Sequence, residues 1–318
     1  MESKKIIVTG GAGFIGSNMV ELLLKMGHKV DVADNLSSTG DDRFLKPLYK
    51  EGDLHLKKID ITKIKQMSDL KGDIIIHLAA NSDVRHGFEN PGLDFNSNIL
   101  GTFNVLETAR KNGINELMFS SSSTVFGVAK QLPTPEEYGP LLPISSYGAS
   151  KLSGEALISA YSNYYDIRST IFRFANIVGK NSTHGVIFDF IKKLKKDGRK
   201  LEILGDGTQR KSYLHVSDCI KAMLFAHEKT KGVDVYNIAN DGTTSVMKIA
   251  DMVLSAMGLE GIEKTLIKTD DGGGWKGDVK IAELSPKKIY SKGWKNQYSS
   301  DEAVKVAVDE TLNQWGDK

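Results

Sequence analysis

Tyr147 and Lys151 stand four residues apart in the run Ser145-Ser146-Tyr147-Gly148-Ala149-Ser150-Lys151. A phenol has an ordinary pKa of about 10 and is a poor base near neutrality, so a tyrosine moves protons only where something favours its anion. Residues four apart share one face of a helix, which would set the Lys151 ammonium beside Tyr147 to do this. A nearby hydroxyl such as Ser122, in the serine run 120–123, would hydrogen-bond a substrate oxygen and hold it in line with the base. Alone, Tyr-x-x-x-Lys is a common accident of helix surfaces. It gains force from the opening of the chain.

There, the apolar residues 6–8 run into Gly10, Gly11, Gly13 and Gly16 and then into the helical spacing of Phe14, Met19, Val20, Leu23 and Leu24. Strand, glycine turn and helix in that order form a dinucleotide site, since the backbone must approach a pyrophosphate lying on the positive helix N-terminus. A side chain at Gly10 or Gly13 is expected to stand where phosphate belongs. The spacing Gly10-x-x-Gly13-x-x-Gly16 departs from the usual G-x-G-x-x-G fingerprint. A second strand, 29–33, ends in Asp34, at about the twenty-residue spacing where an acid meets the adenosine ribose. A carboxylate there accepts bonds from both ribose hydroxyls and repels a 2′-phosphate, which favours NAD over NADP. Asp60, after a third strand, either holds the adenine amino group or simply closes a turn. In His77-Leu78-Ala79-Ala80 the small residues would let a cofactor lie against the backbone, and His77 reads as a hydrogen-bonded core imidazole.

The whole chain has ordinary globular composition: 318 residues, 40% hydrophobic and 26% charged. With 42 basic against 40 acidic residues and a formal charge of +2, neither a nucleic-acid partner nor a polyanionic tail is implied. The basic run 192–200 reads as a solvated helix face. The single Cys219 excludes an intramolecular disulfide framework and fits a reducing cytosol. No signal peptide, membrane span, metal-ligand cluster or internal repeat is expected. Strand patterns at 5–9, 29–33, 54–59, 73–78, 115–120 and 168–174 alternate with helices at 14–26, 91–112 and 147–164, predicting an α/β doubly wound parallel sheet. The expected division is a Rossmann domain over 1–175, with a return segment near 213–240, and a smaller mixed α/β C-terminal lobe, mainly substrate-binding, over 176–318.

TGGAGFIGS, DNLSSTG, HLAAN, NSNILGTFNVLE, FSSSSTVFG, YGASK, RFANIVG, SYLHVSD and GWKGDV occur in an order that resembles the extended short-chain dehydrogenase/reductases, specifically the NAD-dependent nucleotide-sugar epimerases and dehydratases. The likeness covers essentially the whole chain and is nearest to the shorter archaeal and bacterial UDP-glucose 4-epimerases. It implies a catalytic set of Ser122, Tyr147 and Lys151, with Phe126 where the family often has tyrosine. For the cofactor it implies Gly10, Gly13, Phe14, Ile15, Gly16, Asp34, Asn35, Leu36, Asp60, Ile61, Leu78, Ala79, Ala80, Asn98 and Ser120 along with Tyr147 and Lys151. Asn98 is also expected to orient the site through its helix. For the nucleotide-sugar it implies Ser82, Ser122, Asn176, Lys211 and Ala282. The reaction implied is 4-epimerisation of a UDP-hexose, UDP-glucose or UDP-galactose, with the N-acetylated forms as a further option, and with retained NAD. The alternative is a dehydrogenase or reductase of the same superfamily acting on another nucleotide sugar or a small alcohol. A homodimer paired through helices 91–112 and 147–164 is expected.

Several departures qualify the likeness. Dehydratases place Asp-Glu after the catalytic hydroxyl, and here Ser123 and Thr124 cannot supply that acid and base, which disfavours 4,6-dehydration. A dehydrogenase that forms an acid would need a cysteine nucleophile, and Cys219 lies in an apolar helical pattern. Lys211, after Arg210, replaces the arginine that grips the diphosphate and lacks its bidentate fork. Trp275 and Lys276 stand where another arginine is usual. Ala282 replaces a bulky tyrosine that excludes an N-acetyl group, so N-acetylhexosamine substrates are expected to be tolerated.

Overall fold

The computed structural model describes residues 2–82, 84–267, 274 and 278–315. They form two compact units. The first comprises Met1–Gly127, Gly139–Arg173 and Met223–Tyr236, and the second Val128–Tyr138, Phe174–Ala222 and Asn237–Lys318.

The first unit is built on β1 (Lys5–Thr9), β2 (Lys29–Asp34), β3 (Leu54–Lys58), β4 (Ile74–His77), β5 (Glu116–Ser122) and β6 (Arg168–Phe174), joined by the strand Val233–Ile238. Their order in the seven-stranded sheet is Val233–Ile238, β6, β5, β4, β1, β2, β3. β1 pairs in parallel with both β2 and β4, and the outer pairs β2–β3 and β4–β5 are parallel too. Ile74, Ile75, Ile76 and His77 are all buried, as a parallel strand covered on both faces requires. This is a doubly wound Rossmann sheet, and the chain reverses its winding between β1 and β4. Ligands bind such sheets in the crevice at the carboxyl ends of those strands. One core face gathers Ile7, Ile75, Leu106, Leu117, Phe119 and Ile158, each side chain of that size stabilising the fold by roughly 1.5–3 kcal/mol.

The expected helix 91–112 is present, but it is not uniform. The stretch 91–112 divides into Pro91–Asp94, a π-helical segment Phe95–Leu100 and the helix Gly101–Asn112, which stops at Gly113 in the left-handed conformation (φ +69). Apolar periodicity does not register one extra residue per turn. Gly101 follows the wide turn, where a Cβ would stand 2.6 Å from the Cδ1 of Ile61.

In the second unit, Lys200–Leu204 pairs with Glu263–Ile267 and Asn176–Val178 with Tyr213–His215, both in parallel. Arg210–Lys211 is the middle strand of a three-stranded sheet, between Thr244–Ser245 and Ile281–Ala282. Helices Val186–Lys196, Val246–Ala256 and Ser300–Trp315 contribute Phe190, Ile191, Ile249, Val253, Val304 and Val308 to its core. The basic run 192–200 spans the end of the first of these helices and the start of a strand, with Lys193 donating to the Glu202 carbonyl at 2.8 Å.

Candidate active site

The glycine turn sits at the reversal of the sheet. Gly10 has φ +70, and a Cβ there would lie 2.6 Å from the backbone nitrogen of Ala79, so its smallness serves the contact between the β1 and β4 ends. Gly16 allows the helix Phe14–Lys25 to close on the turn, since its Cβ would meet the Gly10 carbonyl oxygen at 2.1 Å. Only at Gly13 would a side chain have room, with the Gly10 oxygen 3.4 Å away. Gly13 caps the helix without any side-chain hydrogen bond, and the first backbone N–H groups of a helix, here those of Phe14, Ile15 and Gly16, have no intrahelical acceptor. That is a cradle for a pyrophosphate.

Beside it, Asp34 is aimed by the backbone. Its Oδ2 accepts from the Ala12 N–H at 3.0 Å and its Oδ1 from the Leu36 N–H at 2.7 Å, with Leu36 in the left-handed region (φ +63) and Asn35 closing a turn onto Ser37. Asp60 closes a turn, one oxygen accepting from both the N–H and the hydroxyl of Thr62. The Ile61 side chain is buried in the core and its carbonyl accepts from Asn104. Leu78 and Ala79 donate their N–H groups to the carbonyl and hydroxyl of Thr9, and Ala80 follows in the same loop. The glycine cradle and the ribose-side carboxylate fit NAD. His77 is a buried imidazole between the hydroxyls of Thr9 (2.7 Å) and Thr102 (3.1 Å), and burial, then the Lys151 charge, lowers its pKa to about 3. It stays neutral.

The serine run ends β5 and the helix Ser146–Tyr165 lies across it. Ser145 caps that helix by accepting from the Gly148 N–H. Lys151 Nζ donates to the Ser120 carbonyl at 2.8 Å and lies 5.8 Å from the centroid of the Tyr147 ring. Ser120 itself donates to the His77 carbonyl. Ser122 accepts from the N–H and the hydroxyl of Thr124. Burial pushes the Tyr147 phenol up to about 12, opposed by the Ser122 hydroxyl and reinforced by the Asp94 carboxylate. Burial also lowers Lys151 to about 8 against an upward pull from Asp94. The chain's own groups therefore do not deliver the low-pKa tyrosine that the spacing suggested, because the desolvation of the half-buried phenol outweighs the help of its neighbours.

A second layer, absent from the sequence reading apart from Asn98, holds these groups. Asn98 Nδ2 donates to Ser150 Oγ at 2.9 Å, and its Oδ1 accepts from the Asn81 N–H at 2.8 Å. Ser150 in turn donates to the Tyr147 carbonyl. Asp94 accepts from Asn81 Nδ2 and from Ser146 Oγ. Glu155, eight residues after Tyr147 and so on the same helix face, is buried against Arg173 (2.7 Å) and accepts from Ser121. The nine-residue span from Tyr147 to Glu155 was the available signal, and only packing shows what Glu155 meets. Ser82 is exposed.

Within the second unit, three expected substrate residues come together. Asn176 donates its N–H to the Ser212 carbonyl, Ser212 donates to the Ala282 carbonyl, and Ala282 stands opposite Lys211 in the sheet. Lys211 Nζ is 2.6 Å from Asp278 Oδ1 and the pair is largely buried. Trp275 and Lys276 lie outside the described residues. Cys219 is buried in the helix Val216–Lys229, its thiol pushed well above the usual range by burial. Among the described residues no group of side chains could hold a metal ion, and no helix is long and apolar enough to cross a membrane.

Residues 6–239 match the NAD dependent epimerase/dehydratase family, and the chain belongs to it. It is 35% identical to a putative UDP-glucose 4-epimerase of Methanocaldococcus jannaschii, over 96% of this chain and 97% of that one. A solved UDP-galactose 4-epimerase is similar at 39% identity and a TM-score of 0.88, covering 98% of this chain and 99% of its own. The Thermus thermophilus UDP-glucose 4-epimerase, solved as a complex with NAD, is similar at 28% identity and a TM-score of 0.84, covering 96% and 98%. The protein is an NAD-dependent enzyme of this extended short-chain dehydrogenase/reductase family.

Proposed function

We propose that the enzyme inverts C4 of a UDP-hexose, interconverting UDP-glucose and UDP-galactose and accepting their N-acetylated forms. The observation that carries this reading is the cluster of buried Ser122 and Lys151 with half-buried Tyr147 at the end of β5, in a Rossmann unit whose glycine cradle suits NAD. Similarity to 4-epimerases over nearly the whole chain supports it. The first unit would hold NAD, through the helix N-terminus at Gly13 to Gly16 and through Asp34, and the second the nucleotide-sugar, through Asn176, Lys211 and Ala282.

When bound, NAD supplies a hydride acceptor at C4 that is recycled within one turnover, and a positive ring that favours the Tyr147 anion. Tyr147 removes the proton from the sugar 4-hydroxyl and later returns it to the same oxygen. Ser122 donates a hydrogen bond to that oxygen and fixes its direction. Lys151, anchored on the Ser120 carbonyl, keeps positive charge over the tyrosine ring. The buried Cys219 offers no nucleophile for oxidation to an acid, and Ser123 and Thr124 offer no acid and base for dehydration.

A cytosolic homodimer accompanies this reading. Phe95, Phe103, Tyr164 and Tyr165 are exposed by 58%, 38%, 76% and 44% on the two helical stretches expected to pair, a concentration of aromatic surface that suits a partner.

The deciding experiment is incubation of the purified protein with UDP-galactose and no added NAD, followed by proton NMR of the anomeric signals. UDP-glucose should appear without net NADH. Stoichiometric NADH would instead establish a dehydrogenase, and an unchanged spectrum even with NAD supplied would overturn the choice of substrate.

A further inference from the structure

A serine hydroxyl has one hydrogen to give and two lone pairs with which to accept. Ser122 Oγ accepts from the Thr124 backbone N–H at 3.2 Å and from Thr124 Oγ1 at 3.0 Å. Both lone pairs are engaged by one residue, and the Ser122 hydrogen is left to point elsewhere. The turn that brings Thr124 there is firmly placed. Ser122 is the extended residue (φ −149, ψ 152) capping the short helical turn Ser123–Phe126. The Thr124 carbonyl lies where a Cβ on Gly148 would be only 2.6 Å from it, so the turn packs directly on the tyrosine helix, one residue beyond Tyr147.

We infer that Thr124 is a positioning residue that makes Ser122 an obligate hydrogen-bond donor, directed at the Tyr147 oxygen or at the substrate hydroxyl. The direction matters because a donor stabilises the phenolate, whereas a serine that turned to accept from the phenol would stabilise its neutral form. Ser122 lowers the Tyr147 pKa against the larger effect of burial, as a donor would. A chain of two hydroxyls that donate in sequence also polarises each bond in it. Nothing is transferred between Thr124 and Ser122. The threonine proton stays on its oxygen, and only the orientation of the serine hydrogen is set. The charged groups facing Tyr147 are Lys151 on its own helix and Asp94 on Pro91–Asp94, and Thr124 touches neither in the hydrogen-bond network.

The inference rests on the 4-epimerase reading for its kinetic arm, and a second arm is independent of substrate. In the NAD-loaded enzyme, Thr124→Val keeps the shape and the N–H but removes the hydroxyl. Its kcat should fall about three- to tenfold, the size of one neutral hydrogen bond, with KM changed less than about twofold. Thr124→Ser should restore most of the rate. In a Ser122→Ala background, Thr124→Val should cost nothing further, because the threonine acts through the serine. Titration of ζ-13C-labelled tyrosine by NMR, with the Tyr147 signal assigned from Tyr147→Phe, should show the phenol pKa rising in Thr124→Val and returning in Thr124→Ser. An unchanged titration in Thr124→Val would overturn the inference. So would an equal fold-loss in the Ser122→Ala background, or a Thr124→Ser protein as impaired as Thr124→Val. If wild-type protein turns over no nucleotide-sugar, the epimerase reading fails alone and the titration still decides the role of Thr124.

Discussion

Tyr147 is half-buried and Lys151 buried, and desolvation moves them in opposite directions, the phenol up to about 12 and the ammonium down to about 8. Near neutral pH both hold their protons, so the tyrosine becomes a base only when further positive charge reaches it. Tyr147→Phe, which keeps the ring and removes the proton carrier, should lower kcat on UDP-galactose by at least about 10²-fold with fold and NAD content intact. Near-normal turnover would remove Tyr147 from the role of base. Lys151 sets an alkaline limit. Its ammonium is lost as pH rises through about 8, rather than near the usual 10.5, so kcat should decline above that pH, and Lys151→Met should show a low rate without this limb. For stability the sign is opposite. The folded protein holds fewer protons on Lys151 than the unfolded chain between about pH 8 and 10.5, so the cost of burying the ammonium is fully present below 8 and relieved as pH rises. A pH–rate profile with the same alkaline limb in wild type and Lys151→Met would contradict the assignment.

Among the elements, the helix Ser146–Tyr165 is fixed to β5 and β6 by polar contacts as well as by its apolar face. Lys151 reaches the Ser120 carbonyl, and Glu155 meets both Ser121 and Arg173. Arg173 also lies 4.8 Å from the centroid of the Phe126 ring, just beyond the serine run. Glu155→Ala would leave the guanidinium buried beside a lost carboxylate, so it should destabilise the fold by about 3–5 kcal/mol. Urea denaturation would measure this, and a loss below about 1 kcal/mol would show the pair to be dispensable. The π-helical segment works at the same scale. Its extra residue per turn accompanies the burial of Asn98, whose amide bridges the Asn81 loop and Ser150 on the tyrosine helix.

For the molecule as a whole, two expectations concern what it accepts and how it assembles. Ala282, opposite Lys211 in the sheet of the second unit, leaves space for a C2 substituent in the proposed reading. Ala282→Tyr should therefore cut turnover of UDP-N-acetylglucosamine more than about tenfold while UDP-galactose changes less than about threefold. Equal losses on both substrates would place the residue outside the sugar site. If the aromatic face formed by Phe103, Tyr164 and Tyr165 is covered by a second copy, charged substitutions such as Phe103→Glu with Tyr164→Glu should halve the mass by light scattering. A wild-type monomer in the same measurement would end that proposal.

Much was legible in the sequence because it is local. Alternating apolar runs specify β1 to β6 nearly to the residue, since strand and helix periods differ. The glycine turn and Tyr-x-x-x-Lys are likewise short motifs whose geometry their own backbone sets. The tertiary structure decided what depends on residues distant in the chain. It showed that Gly10 lies against the Ala79 backbone with no room for a side chain, that 91–112 contains a π-helical segment, and that Lys211 is paired with Asp278. It also showed that burial raises the Tyr147 pKa although Lys151 is near. Desolvation and pairing are properties of the packed environment, which a linear motif does not encode.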